Sequence, residues 1–145
     1  MINSNSSCIE ILLVEDNPGD VLLTQQAFKT MKLCNRLHVA TDGETAIEML
    51  RKEGEYSDFV EPSLILLDMN LPRLDGPGVL KIIKADENLR HIPVIVLTSS
   101  KAQEDILKSY DLHANGFISK PVNMNEFVNI VHSIEEFWFK VVTLA

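Results

Sequence analysis

The segment Ser63-Leu64-Ile65-Leu66-Leu67-Asp68 sets four consecutive aliphatic residues in front of one carboxylate. A run so apolar, with no alternation, has the pattern of a strand covered on both faces, as in the middle of a parallel sheet, although a short buried helix shares it. The breakers that follow, Met69-Asn70-Leu71-Pro72-Arg73-Leu74-Asp75-Gly76, force a turn directly after Asp68 and favour the strand. In open α/β sheets, ligands bind beyond the carboxyl ends of the strands, where the strand order reverses. Asp68 stands where such a site is expected.

The chain on either side supplies the remaining elements. Cys8–Val14 reads as the first strand and runs into Glu15-Asp16; Leu37–Ala40, Pro93–Thr98 and Gly116–Lys120 read as the second, fourth and fifth, the last halted by Pro121. Asn17-Pro18 is an N-cap with proline at the first helical position, opening a helix to about Met31 with Val21, Leu22, Ala27, Phe28 and Met31 expected on one face. Thr41-Asp42-Gly43 caps a second helix carrying Ala46, Ile47, Met49 and Leu50, and Lys52–Pro62 reads as a polar loop. Gly76 opens a third helix through Val79, Leu80, Ile82 and Ile83. Capping boxes at Ser100/Gln103 and Asn123/Glu126 open the last two, to about Asp111 and Lys140. Five strands alternating with five helices predict a doubly wound α/β fold with right-handed crossovers. Residues 1–8 are expected to be a disordered leader and 9–145 one domain.

Composition excludes several classes. Thirteen Lys and Arg against 21 Asp and Glu leave a formal charge of −8, which argues against nonspecific nucleic-acid binding. Cys8 and Cys34 lack metal-ligand spacing and are expected to be free thiols in a reducing cytosol. No apolar run approaches the ~18 residues of a membrane span, and the first residues are too few and too polar for a signal peptide. A cytoplasmic protein without membrane or nucleic-acid partners is expected.

The strand ends deliver Glu15-Asp16, Asp68, Thr98 and Lys120. Singly, each has an ordinary reading: a helix-dipole pair, a turn former, a cap, a solvated stem. Together at one rim they do not. Two carboxylates ~4 Å apart repel by ~4 kcal/mol at an effective dielectric near ~20, so three of them call for a cation. A carboxylate set with open positions suits Mg²⁺, which keeps waters and accepts phosphate oxygens. Asp68 then has the chemistry of a phosphoryl-accepting nucleophile, with Lys120 and the Thr98 hydroxyl bonding the transferring oxygens. The four histidines are scattered and none reads as a ligand or phosphodonor.

Glu15-Asp16, Asp68, Thr98 and Lys120-Pro121 resemble the acid pair, phosphoacceptor, switch hydroxyl and Lys-Pro of response-regulator receiver domains, a resemblance that runs from about Ile9 to Phe139. It implies a flavodoxin-like five-stranded sheet in the order 2-1-3-4-5. It implies phosphotransfer from a histidine kinase onto Asp68 with Mg²⁺ held by Glu15, Asp16, Asp68 and the Asn70 backbone carbonyl. The protein would be a phosphoacceptor that assists its own phosphorylation and slow autodephosphorylation, not an enzyme. Pro121 would follow a cis bond, and Phe117 would swing inward as Thr98 moves to the phosphoryl group. More narrowly, Asn17-Pro18-Gly19-Asp20, Thr98-Ser99-Ser100 and Ser133–Trp138 look like single-domain regulators that serve phytochrome-type histidine kinases. His113 stands where the family often has glycine, and Ser99 where alanine is frequent.

The last helix carries more apolar surface than docking needs. Phe127, Ile130, Val131, Ile134, Phe137, Trp138 and Val141 cover one face, and Val128, Phe139 and Val142 widen it. With Tyr110 from the fourth helix, Val128, Phe137, Trp138, Phe139 and Val142 form the expected partner surface, read as a homodimer through the fourth and fifth helices. Output is expected through protein contacts, with no appended output domain. Two alternatives remain. A degenerate receiver would act as an adaptor without phosphorylation; an aspartyl-nucleophile phosphatase would carry a second acid two residues after Asp68, where Asn70 stands.

Overall fold

The computed structural model describes residues 8–109, 112, 114–120 and 123–144, with Ser109 and residues 137–144 as backbone. Tyr110, His113, Pro121 and the side chains of Phe137, Trp138, Phe139 and Val142 lie outside the described residues, and with them the cis-proline and most of the expected partner surface.

Strands β1 (Ile9–Val14), β2 (Asn35–Ala40), β3 (Leu64–Asp68), β4 (Val94–Thr98) and β5 (Gly116–Ser119) alternate with helices α1 (Pro18–Lys29), α2 (Gly43–Leu50), α3 (Gly76–Ala85), α4 (Lys101–Ser109) and α5 (Met124–Leu144). All neighbouring strands pair in parallel, in the order β2-β1-β3-β4-β5. The doubly wound expectation holds. Within the stretch read as a polar loop, Gly54–Tyr56 forms a 3₁₀ turn, and β2 begins two residues earlier than expected.

The central strands have no polar face because both faces are covered. Leu12, Val14, Ile65, Leu67, Val94 and Val96 pack under α2, α3 and α4. Ile11, Leu13, Leu64, Leu66 and Leu97 pack under α1 and α5, where the Phe28 and Phe127 rings meet edge to face at 6.5 Å. Helix α1 departs from its expected face. Leu22 is 54% exposed, and the inward position falls to Thr24, whose hydroxyl donates to the Asp20 carbonyl at 2.8 Å. At ~3.6 residues per turn, Thr24, Ala27, Phe28 and Met31 share a stripe that Leu22 misses.

Cys8 and Cys34 are joined in a disulfide, which corrects the expectation of two free thiols. The cause is register: Ile9 pairs with Asn35, so the two cysteines face each other one step earlier, with Cα atoms 4.5 Å apart. Among the described residues no helix is long and apolar enough to cross a membrane.

Candidate active site

Strand register assembles the site. Val14 pairs with Leu67, Asp68 with Leu97 and Thr98 with Ser119, so Glu15, Asp68, Thr98 and Lys120 fall in adjacent tiers at the carboxyl edge. Strand order reverses between β1 and β3, and Glu15 and Asp68 flank that point. The pleat separates their approach. Asp68 shares the parity of Leu66, which packs under α1 and α5, whereas Thr98 shares that of Val96, which packs under α2, α3 and α4.

The turn after Asp68 is clamped by glycines. A Cβ on Gly76 would lie 2.6 Å from the Asp68 carbonyl oxygen, and one on Gly43 would overlap the Leu74 carbonyl. Arg73, inside the same turn, has φ 67°.

One carboxylate oxygen from each of Glu15, Asp16 and Asp68 lies within 4.8 Å of the others. Glu15 and Asp68 are buried and Asp16 is exposed, so the cluster opens to one side. An oxygen-only, acid-rich set with an open side fits a hard divalent cation. Burial, reinforced by the hydrogen bond and charge of Asp68 and opposed by Lys120, pushes the Glu15 carboxyl up from 4.5 to about 7.

Lys120 is threaded into this cluster. Its Nζ lies 2.7 Å from Glu15 Oε1, 2.9 Å from Asp20 Oδ2 and 3.4 Å from Asp68 Oδ1, with its backbone N–H donating to the Thr98 carbonyl at 2.6 Å. Burial pulls its pKa down, but hydrogen bonds to Glu15 and Asp20 and the charges of Glu15 and Asp68 outweigh it, so the net shift is upward. Two buried atoms, Asp68 Oδ1 and Thr98 Oγ1, have no hydrogen-bond partner among the described residues. Asp68 Oδ1 has the Lys120 charge 3.4 Å away but no hydrogen bond, whereas Thr98 Oγ1 has neither; a buried hydroxyl left so costs ~1–3 kcal/mol and marks a place for a ligand.

Asn70 is exposed and its carboxamide is engaged. It donates to Ser99 Oγ at 3.2 Å and accepts from Gln103 Nε2 at 3.0 Å, while Gln103 Oε1 accepts the Ser99 N–H at 2.6 Å. Phe117 is 36% exposed on β5. Val128, expected on a partner surface, is half-buried at the margin of the core under α1 and α5, beside Phe127 and Val131. It is the one side chain of the expected partner surface that falls among the described residues. Sequence reasoning assigned no chemistry to Asp20 or Gln103. Both stand three residues after a capping position, and that local role hides their reach across the site.

Residues 11–132 match the family profile described as the response regulator receiver domain. The chain belongs to the response-regulator receiver family. Receiver domains are in general phosphoacceptors rather than enzymes. Among curated relatives, the response regulator Rcp1 of Synechocystis sp. is 43% identical over 134 residues, 92% of this chain and 91% of that protein. A crystal structure of the phosphorylated cyanobacterial phytochrome response regulator RcpA superposes with a TM-score of 0.83 at 44% identity, covering 93% of this chain and 96% of the other. The Mn²⁺-bound form of Rcp1 superposes at 0.79 with 42% identity, over 90% and 94% of the two chains. A divalent ion thus occupies a structure of a close relative of this receiver domain.

Proposed function

We propose that residues 9–145 form a single receiver domain that takes a phosphoryl group from a histidine kinase onto Asp68. The observation that carries this reading is the buried Asp68 carboxylate, with one oxygen that accepts no hydrogen bond and lies 3.4 Å from the Lys120 ammonium, beside the equally buried and unpartnered Thr98 hydroxyl. A carboxylate oxygen of Asp68 forms the new bond to phosphorus as the phosphorus–nitrogen bond of the donor phosphohistidine breaks, leaving an acyl phosphate on the aspartate and the imidazole on the donor. Lys120 holds one phosphoryl oxygen by charge-assisted hydrogen bonding and Thr98 Oγ1 donates to another, satisfying its orphaned hydroxyl. Glu15, Asp16, Asp68 and the Asn70 backbone carbonyl would hold Mg²⁺, which when bound neutralises charge on the transferring oxygens.

Thr98 and Phe117 form the switch in this reading, the hydroxyl moving to the phosphoryl group and the half-exposed ring moving inward to the space it leaves. The altered surface around α4, β5 and α5 is the output, with a homodimer through α4 and α5 as the first partner. The 43% identity to Rcp1 and the close superposition on RcpA, a phytochrome response regulator, support a phytochrome-type kinase as donor. A cytoplasmic location agrees with such a partner. Slow autodephosphorylation would reset the domain, and Asn70, where an aspartyl phosphatase would need an acid, supports retention of the group rather than turnover.

Intact mass after incubation with acetyl phosphate tests this reading. One added phosphoryl group is expected, dependent on Mg²⁺ and absent from Asp68→Asn. An adduct that persists in Asp68→Asn, or none in the wild type under conditions where Mg²⁺ binds, would overturn it.

A further inference from the structure

Lys120 has a carboxylate partner that the metal cluster does not account for. Asp20 Oδ2 lies 2.9 Å from its ammonium, yet Asp20 is not among the three acids whose oxygens converge within 4.8 Å. Asp20 is the third residue of α1, three after the N-cap Asn17. In a capping box the acid at this position turns back to the N-cap's own amide. Here that amide is taken: Asn17 N–H donates to Glu15 Oε2 at 3.2 Å. The Asp20 backbone is meanwhile fixed, its N–H donating to Asn17 Oδ1 at 3.1 Å and its carbonyl accepting from Thr24 Oγ1 at 2.8 Å. The carboxylate is released from capping and reaches across the site on a rigid base.

We propose that Asp20 is a positioning residue for Lys120, the counter-ion to which the ammonium withdraws when a divalent cation takes Glu15 and Asp68. The inference rests on the metal-binding part of the function above. Among the described residues, two of the three carboxylate oxygens around the Lys120 ammonium belong to the metal cluster. A doubly charged ion and an ammonium on the same oxygens repel strongly in so buried a place. Asp20 gives the lysine a partner outside that set, so metal enters without stranding a buried charge, and the ammonium stays within reach of Asp68. Without Asp20, Lys120 pairs only with metal ligands and competes for them.

A double-mutant cycle on Mg²⁺ affinity, measured by titration calorimetry without any phosphodonor, tests the proposal on the wild type, Asp20→Asn, Lys120→Met and the double variant. With Lys120 present, Asp20→Asn is expected to weaken Mg²⁺ binding ~10-fold; with Lys120→Met the same change is expected to cost no more than ~3-fold. Equal losses in both backgrounds would make Asp20 a plain surface charge and overturn the proposal, as would no loss at all. Asp20→Ser, which keeps a capping-competent side chain at the helix start, gives the same cycle if the asparagine variant fails to fold. A wild type that binds Mg²⁺ and shows the coupling but takes up no phosphoryl group would undo the proposed function and leave this inference standing.

Discussion

Glu15 and Thr98 show what the site costs when no ligand satisfies it. The Glu15 carboxyl, raised by burial from 4.5 to about 7, binds protons in the folded state that the unfolded chain has released. The sign follows: its contribution to stability is complete below pH 4.5 and is lost as pH rises to about 7. Lys120, shifted upward, stays charged throughout that window. In EDTA, the unfolding free energy from urea denaturation, and with it the midpoint, is therefore expected to fall between about pH 4.5 and pH 7, by a few kcal/mol at most at ~1.4 kcal/mol per pH unit, and to stay flat in Glu15→Gln. A midpoint that rises across this range in the wild type would refute the assignment. Thr98 makes the opposite case. Its hydroxyl is buried without a partner among the described residues, so Thr98→Val, of equal shape, should stabilise the unphosphorylated domain by ~1 kcal/mol in urea denaturation. The same variant should take up phosphate yet fail to propagate the change to Phe117, readable by NMR.

At the scale of elements, the helix starts follow local chemistry closely, and their departures are where function enters. Asn17, Asp42 and Asn123 accept the amide hydrogen bonds expected of caps, at 3.1, 2.7 and 2.8 Å. At α4 the Ser100/Gln103 box is displaced. Gln103 N–H donates to Ser100 Oγ at 3.4 Å, but its carboxamide oxygen takes the Ser99 N–H and its nitrogen crosses to Asn70. A cap has become a tie between two loops at the mouth of the site. The turn between β3 and α3 is held by the close approaches of Gly43 and Gly76, so Gly43→Ala is expected to destabilise by ~2 kcal/mol or more, measured by thermal and urea denaturation. Leu22→Ala, by contrast, should shift stability by less than ~0.5 kcal/mol, because the side chain is on the solvent side of α1.

For the molecule as a whole, the Cys8–Cys34 bridge ties the start of β1 to the start of β2 across a separation of 26 residues. Closing a loop of that length is worth ~3 kcal/mol, so reductant should lower the thermal midpoint by roughly 10 °C. Cys34→Ser should show the lowered value and no response to reductant; a wild type indifferent to reductant would mean the bridge adds nothing. At the opposite edge, the registers of β1 with β3, β3 with β4 and β4 with β5 align the strand ends that carry the site. Apolar runs, turn breakers and caps were legible because each is decided by a few neighbours in the chain: a strand covered on both faces takes a polar residue only where it finds partners, as Glu10 does in Arg36 and His38, and a helix start needs an acceptor. Asp68, Glu15-Asp16, Thr98 and Lys120 were legible for a related reason, since each ends or follows a strand, and the carboxyl edge of a parallel sheet is one place. Which cysteine faces which, that Leu22 points outward, and that Asp20 and Gln103 leave their caps to bridge the site depend on distances between segments far apart in sequence. Pairing across strands and the competition of several donors for one oxygen are settled only when the helices dock on the sheet, because only then do burial and charge make one partner cheaper than another.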